Sequence, residues 1–133
     1  MRTIILKTWA LFFGYALICL GHGLQGTLLG VRAIIEEFSF IQTGIMIAGY
    51  YIGYLVGSLS IPFFLKNVGH IRVFAALASL ASIAILIHSI FLNPSAWFFI
   101  RLLTGISISG IFVIMESWLN QKSSNSTRGS ILS

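Results

Sequence analysis

Charged residues are scarce in this chain, and their scarcity excludes whole classes of protein. Only 8% of the 133 residues are charged, the acidic residues number three, and aspartate is absent. Soluble domains carry about 25% charged residues, so these few charges cannot cover a water-facing surface. A hydrophobic content of 57% equally excludes a disordered chain. The composition is that of an integral membrane protein.

Cysteine is almost absent as well, and the motifs of enzymes are missing. The single Cys19 cannot form a disulfide within the chain, and the three histidines lack the spacing of metal ligands. No catalytic triad, phosphate-binding glycine loop or HExxH helix appears. We therefore expect no enzyme, cofactor or metal. The basic residues lie between apolar runs, so the net charge of +5 does not indicate nucleic acid.

Long uncharged stretches divide the chain into four candidate membrane spans. Charges are missing from 8–31, 38–65 and 73–100, and the third stretch is interrupted by the turn signal Asn93-Pro94. About 20 apolar residues cross a bilayer as a helix, and backbone groups in lipid must find partners within their own segment. The sequence therefore predicts an all-α membrane protein with four transmembrane helices, at about 8–30, 40–64, 73–92 and 97–119.

The basic residues predict how these helices are oriented. Six of the eight lie before helix one, between helices two and three, or after helix four, whereas the other side has Arg32 alone beside Glu36 and Glu37. Basic residues favour the cytoplasmic side, so we expect both termini in the cytoplasm. Arg2 and Lys7 also resemble the start of a signal peptide, but the uncharged run after them is too long and no cleavage motif ends it.

A few polar residues within the spans are candidates for function. On helix one, Tyr15, His22 and Gln25 lie within about 60–80° of each other around the axis. Polar side chains in a membrane face protein or a wet cavity, so a cavity lining and plain hydrogen bonding between helices explain them equally well. Proton handling by His22 is a narrower hypothesis within the first of these explanations. Tyr50 on helix two is a candidate to contact a solute or to pack. His88, near the outer end of helix three, is expected at the membrane interface.

Arg101 and Glu116 carry the largest insertion cost, because a charge at the centre of a membrane helix costs about 2.5–3.5 kcal/mol. They are separated by about 22 Å along helix four and cannot pair with each other. Glu116 is expected at the depth of Lys66 and Arg72, in the loop between helices two and three, and an ion pair to that loop is our preferred prediction. The alternative is that each charge reaches its own interface.

Small residues recur at a spacing of four. Gly49, Gly53 and Gly57 form one stripe on helix two, and Gly105 and Ser109 repeat the pattern on helix four. A step of four residues drifts only about 40° around a helix, and small residues at this spacing let helices approach closely in lipid. The stripes predict close packing within a helix bundle, without chemistry.

Several segments resemble the N-terminal part of a major facilitator superfamily transporter. The segment from Pro62 to Arg72 is similar to the superfamily's signature loop of basic residues around a glycine, with Gly69 and Arg72 in the matching places. Arg101-Leu-Leu-Thr-Gly105 resembles the superfamily's Arg-x-x-x-Gly in helix four.

Other segments resemble the uncharacterised YcaD-like branch of that superfamily. They are Gly23-Leu-Gln-Gly26-Thr-Leu-Leu-Gly30-Val-Arg32-Ala, Glu116-Ser-Trp-Leu-Asn120 and Thr127-Arg128-Gly129. The resemblance implies two six-helix bundles that rock around a central substrate site, and four helices are two-thirds of the first bundle. The chain is thus expected to be an N-terminal fragment, with 120–133 forming a cytoplasmic loop and the start of a truncated fifth helix.

The resemblance implies secondary transport of an unidentified small solute across the cytoplasmic (inner) membrane by the full-length protein. Its partners would be membrane lipid, the solute and the remaining helices. The implied substrate-pathway residues are His22, Gln25, Tyr50 and Arg101. The implied gate at the cytoplasmic loop consists of Lys66, Gly69, Arg72 and Glu116.

Two other functions remain open on the sequence alone. The first is a self-standing four-helix protein that works as a small homo-oligomeric exporter; such exporters generally have a carboxylate within their first helix, and helix one has none. The second is a non-transporting membrane subunit, in which the glycine stripes would receive a partner helix.

Overall fold

The computed structural model describes residues 2–122, which form four helices joined by short turns. The helices are α1 (Arg2–Ile35), α2 (Phe40–Val68), α3 (His70–Ile90) and α4 (Pro94–Lys122). The turns between them are one to four residues long, so consecutive helices run in opposite directions. Each helix contains a stretch that is long and apolar enough to cross a membrane. The predicted all-α membrane protein with four transmembrane helices is confirmed.

The observed helices extend beyond most of the predicted limits. α1 begins at Arg2 rather than at residue 8, α2 continues to Val68, and α4 runs from Pro94 to Lys122 rather than from 97 to 119. The sequence argument marks only the part of a helix that lies in lipid, whereas backbone hydrogen bonding continues into the interface. Pro94 can begin α4 because a residue in the first helical turn needs no intrahelical partner for its nitrogen.

The C-terminal segment differs from its prediction for the same reason. Residues 120–122, which were expected in a loop, belong to α4. Residues 123–133, with the expected start of a fifth helix, lie outside the described residues.

The turns have specific local causes. Gly69 alone separates α2 from α3 and has a φ of 100°, a conformation that favours glycine because it has no Cβ. At the other end of the bundle, α2 starts with a capping box: the Ser39 hydroxyl accepts from the Gln42 amide at 3.2 Å, and the Gln42 side chain accepts from the Ser39 amide at 2.9 Å. We call the end of the bundle that contains the α2–α3 turn the Gly69 end. The opposite end, which contains turns 36–39 and 91–93, is the two-turn end.

α2 and α4 form the tightest pair of helices, because their glycine stripes face each other. A Cβ at Gly49 would lie 2.7 Å from the carbonyl oxygen of Phe98. A Cβ at Gly53 would overlap the backbone of Leu102, and one at Gly105 would overlap the carbonyl oxygen of Tyr50. The two backbones are therefore in direct contact, as small residues allow in lipid. Gly57 has the same role against Ile106 and Ser109.

α4 is the most buried of the four spans, and α1 is attached most loosely. α4 packs against α2 and α3, while the backbone of α1 stands farther from the other helices and reaches them through side chains. Leu29 and Ala33 of α1 join Trp97 in one buried cluster near the two-turn end. Large apolar side chains cover the outside of the bundle, where they contact lipid.

Candidate functional site

The most unusual side chain in the bundle is Arg101, in the second turn of α4. It is only 8% exposed, and its guanidinium carbon lies 4.7 Å from the centroid of the Tyr50 ring, within the range of a cation–π contact. Its Nε and Nη1 atoms are buried and have no hydrogen-bond partner in the described part of the chain. Buried polar atoms almost always have partners, so an unpaired cation inside a membrane bundle requires an explanation.

The carboxylates do not provide that explanation, because all three lie near helix ends. Glu36 pairs with Arg32, one turn before it, at 2.8 Å, and this is the only ion pair among the side chains that the structure describes. Glu37 and Glu116 are exposed. The charge of Arg101 is therefore uncompensated within the four helices that the structure describes.

His22 of α1 extends the site around Arg101. Its ring stacks on the ring of Tyr50, with centroids 5.0 Å apart and planes inclined by 22°. The Nδ1 atom of His22 is buried and, among the described residues, has no hydrogen-bond partner. We define the Arg101 cluster as His22, Tyr50 and Arg101, contributed by α1, α2 and α4. Two of its three members, His22 and Arg101, have buried polar atoms without a hydrogen-bond partner among the described residues.

Gln25, one turn after His22, connects the site to α3. Its Nε2 lies 3.5 Å from the Nδ1 of His88, which is a close contact rather than a hydrogen bond when both nitrogens carry protons. The same Nδ1 lies 2.8 Å from the carbonyl oxygen of Ala84, so we assign the proton to Nδ1, as donor to that oxygen. The buried Nε2 of His88 then has an open lone pair and no partner within residues 2–122.

His88 is the residue that sequence reasoning missed. It was expected at the membrane interface, but it is 4% exposed and its ring meets the edge of Trp97 at 5.5 Å. Trp97 is held in turn by its Nε1, which donates to the carbonyl oxygen of Phe91. The signal was available, because the argument that singled out His22, a titratable side chain in an apolar span, applies equally to His88.

Two cavities adjoin these residues. One of about 260 Å³ lies between α1, α3 and α4 and is lined by His22, Gln25 and Thr104 among apolar side chains. A second of about 440 Å³ opens near the two-turn end and is lined by Gln25, His88 and Trp97. Gln25 borders both cavities and so lies between the interior of the bundle and its two-turn end.

The structure thus brings together the four residues expected on a substrate pathway. His22 and Tyr50 stack, Arg101 lies over Tyr50, and Gln25 follows His22 by one turn and borders the same cavity.

The residues expected in a cytoplasmic gate are not joined in this way. Glu116, Lys66 and Arg72 are all exposed, and no ion pair joins them in the described structure. Met115 and Leu119 are buried on α4 at this level, whereas the Glu116 side chain is exposed on the outside of the bundle. The sequence indicates the depth of Glu116 along α4 but not its direction around the helix.

A hydrogen bond between His70 and Ser117, rather than the predicted ion pair of Glu116, joins α4 to the start of α3. His70 Nε2 lies 2.9 Å from the Ser117 hydroxyl, and the His70 ring lies 6.4 Å from the ring of Trp118. These contacts connect the start of α3 to the end of α4, at the Gly69 end of the bundle.

We expect Ser117→Ala to destabilise the protein by about 1 kcal/mol, because it removes one partner of a half-buried hydrogen bond. Glu116→Gln should change stability by less than about 0.5 kcal/mol, and its effect should add to that of Arg72→Gln. Thermal unfolding in detergent measures all of these. A clear non-additive term between Glu116 and Arg72 would show that the predicted ion pair forms after all.

Comparison with known proteins gives a consistent family. The family described as "Uncharacterised MFS-type transporter YbfB" matches residues 28–133. Two curated relatives, each described as "Uncharacterized MFS-type transporter YcaD", come from Escherichia coli O45:K1 (strain S88) and Escherichia coli O9:H4 (strain HS). They are 28% and 27% identical over 137 residues, which cover 99% of this chain and 35% of each relative. The chain spans about a third of the length of these relatives, and no solved structure matches it.

Proposed function

Because the chain belongs to the family of MFS-type transporters described by YbfB, we propose that it supplies four helices to a secondary transporter. This transporter would move a small solute across the membrane without changing it chemically. The matched segment covers 35% of each curated relative. We propose that helices corresponding to the rest of the relatives' length complete the path, and that the two parts alternate in exposing a site near the midplane.

The observation that supports this proposal best is the Arg101 cluster. Arg101 begins about 10 Å along α4 and Tyr50 about 15 Å along α2, counted from the two-turn end, so the cluster lies within the membrane rather than at its surface. Titratable and polar side chains at such depths are costly and mark pathways for substrates or ions. Three helices contribute to the cluster, and the cavity of about 260 Å³ reaches it at His22.

We also propose that the N-terminus and the Gly69 end face the cytoplasm of a cell whose inner membrane holds the protein. The exposed Lys66 and Arg72 lie at that end, and basic residues favour the cytoplasmic side.

Single cysteines in a Cys19→Ser background test this orientation. An impermeant maleimide should label Glu37→Cys in intact cells, because that residue lies at the two-turn end, and Asn67→Cys only after the cells are opened. Both native side chains are exposed, so access to the reagent is the only difference. If the reagent labels position 67 but not position 37 in intact cells, the orientation is the opposite of the proposed one.

Transport itself is tested with the full-length gene product in liposomes. Liposomes with and without protein are incubated in a metabolite extract of the source cells, and the solutes trapped inside are identified by mass spectrometry. The experiment is repeated with the extract loaded inside the liposomes, so that transport in both directions is measured. We expect at least one solute to cross faster with protein, and Arg101→Gln to remove that difference. Arg2→Gln makes the same chemical change at an exposed terminal residue and should be without effect. Identical solute profiles with and without protein would refute transport.

A further inference from the structure

We infer that the solute carried by this protein is an organic anion and that Arg101 binds its negative group. The inference rests on the proposed transport function and deepens it, because neither the family nor the named relatives specify a substrate.

The first argument is the balance of charge inside the bundle. Arg101 is buried, and the three carboxylates lie at its ends, one of them already paired. An isolated cation in a medium of low dielectric constant is strongly disfavoured. A solute that brings a negative charge removes that penalty while it is bound, whereas a neutral solute leaves it and a cationic solute increases it.

The second argument is the set of unmade hydrogen bonds. Nε and Nη1 of Arg101 are donors that are enclosed and, within the described helices, unpartnered. A guanidinium presents its donors in a rigid planar arrangement that suits carboxylate and phosphate groups. The Nδ1 of His22, on the ring stacked against Tyr50, is also enclosed without a partner. An anionic group on the solute supplies acceptors for the Arg101 donors, and a second polar group can bond to His22, which lines the cavity.

The third argument concerns the Tyr50 ring and the shape of the site. An aromatic face in a membrane could attract a cationic solute, but the guanidinium of Arg101 already lies over this ring. The cavity of about 260 Å³ that borders His22 is lined mainly by apolar side chains, and its polar members are His22, Gln25, Ser82 and Thr104. A small carbon skeleton with one charged end fits this lining better than a hydrated inorganic ion does.

The test uses the liposomes and metabolite extract described above and sorts the transported solutes by charge. We expect these solutes to be organic anions. Their transport rate should be lower by about 100-fold or more in Arg101→Gln than in the native protein, because the buried positive partner of the anion is lost. Arg101→Lys, which keeps the charge but not the planar donors, should retain part of the activity. Arg2→Gln should stay within about twofold of the native rate, since that side chain is exposed at the chain terminus.

A second measurement checks binding and folding together. A carboxylate solute identified in that experiment should raise the melting temperature of the native protein and leave that of Arg101→Gln unchanged, while its amide analogue should shift neither.

Each other outcome has a definite meaning. Transport of neutral or cationic solutes only would overturn the anion inference and leave the transport proposal intact. Exchange of inorganic phosphate or chloride alone would overturn the organic part of the inference. If no solute crosses in either direction, the transport function fails, and the inference fails with it.

Discussion

Replacing Gly53 with alanine is expected to force α2 and α4 apart and to lower the stability of the bundle by at least about 3 kcal/mol. A Cβ at this position would overlap the backbone of Leu102, and a helix backbone cannot move aside as a flexible side chain can. Overpacking in a core typically costs about 1–3 kcal/mol, and this contact lies at the upper end because no rotamer change relieves it. Thermal unfolding in detergent, followed by circular dichroism, measures the loss.

Gly44→Ala is the matched control for this experiment. It makes the same change on the same helix, and nothing lies within 4 Å of the added Cβ. Because alanine favours a helix over glycine by about 1 kcal/mol, this variant should be as stable as the native protein or slightly more stable. If the Gly53 and Gly44 variants unfold at the same temperature, α2 and α4 are not in backbone contact.

Replacing Arg101 with methionine is expected to stabilise the protein in the absence of solute, by about 1–3 kcal/mol, while it abolishes transport. Methionine fills much of the same space and removes an uncompensated charge whose insertion costs about 2.5–3.5 kcal/mol, although the contact with Tyr50 is lost as well. A gain in stability with a loss of activity is typical of functional sites that are strained for their task. Thermal unfolding of the full-length product, with a transport assay on the same sample, measures both.

The sign of this stability change also distinguishes two explanations of Arg101. If a carboxylate from a helix outside the described residues pairs with it, removal of the arginine leaves that carboxylate buried and alone. The protein should then lose about 3–5 kcal/mol. That result would place the counter-charge of Arg101 in the protein and remove the main argument for an anionic solute.

The four spans could be predicted from the sequence because an uncharged segment in lipid can satisfy its backbone hydrogen bonds in few structures. A segment without charges must satisfy its own backbone, so the helices follow from the positions of residues such as Lys66 and Arg72. Their ends could not be predicted as well, since helix formation continues past the lipid boundary. α1, for example, starts at Arg2, several residues before its apolar stretch.

The members of the candidate site were visible in the sequence, but their arrangement was not. His22 and Arg101 stand out because each is costly in an apolar span. Their meeting around Tyr50 depends on which faces of α1, α2 and α4 turn inward, and the sequence indicates depth better than direction. Glu116 shows the limit: its depth was predicted, yet the structure directs it outward. The glycine stripes likewise predicted close approach but not that α2 and α4 would be partners.

The central claim is that α1, α2 and α4 place His22, Tyr50 and Arg101 in one cluster, and α1 is its least firmly packed contributor. A cross-linking experiment tests this most directly, with cysteines at positions 22 and 50 in a Cys19→Ser background and a short bifunctional thiol reagent in native membranes. The two rings are 5.0 Å apart, so we expect efficient intramolecular cross-linking for this pair. The control pair of Leu24→Cys with Tyr50→Cys should give little, because Leu24 is 61% exposed on α1. Equal cross-linking of the two pairs, or none between positions 22 and 50, would contradict the arrangement.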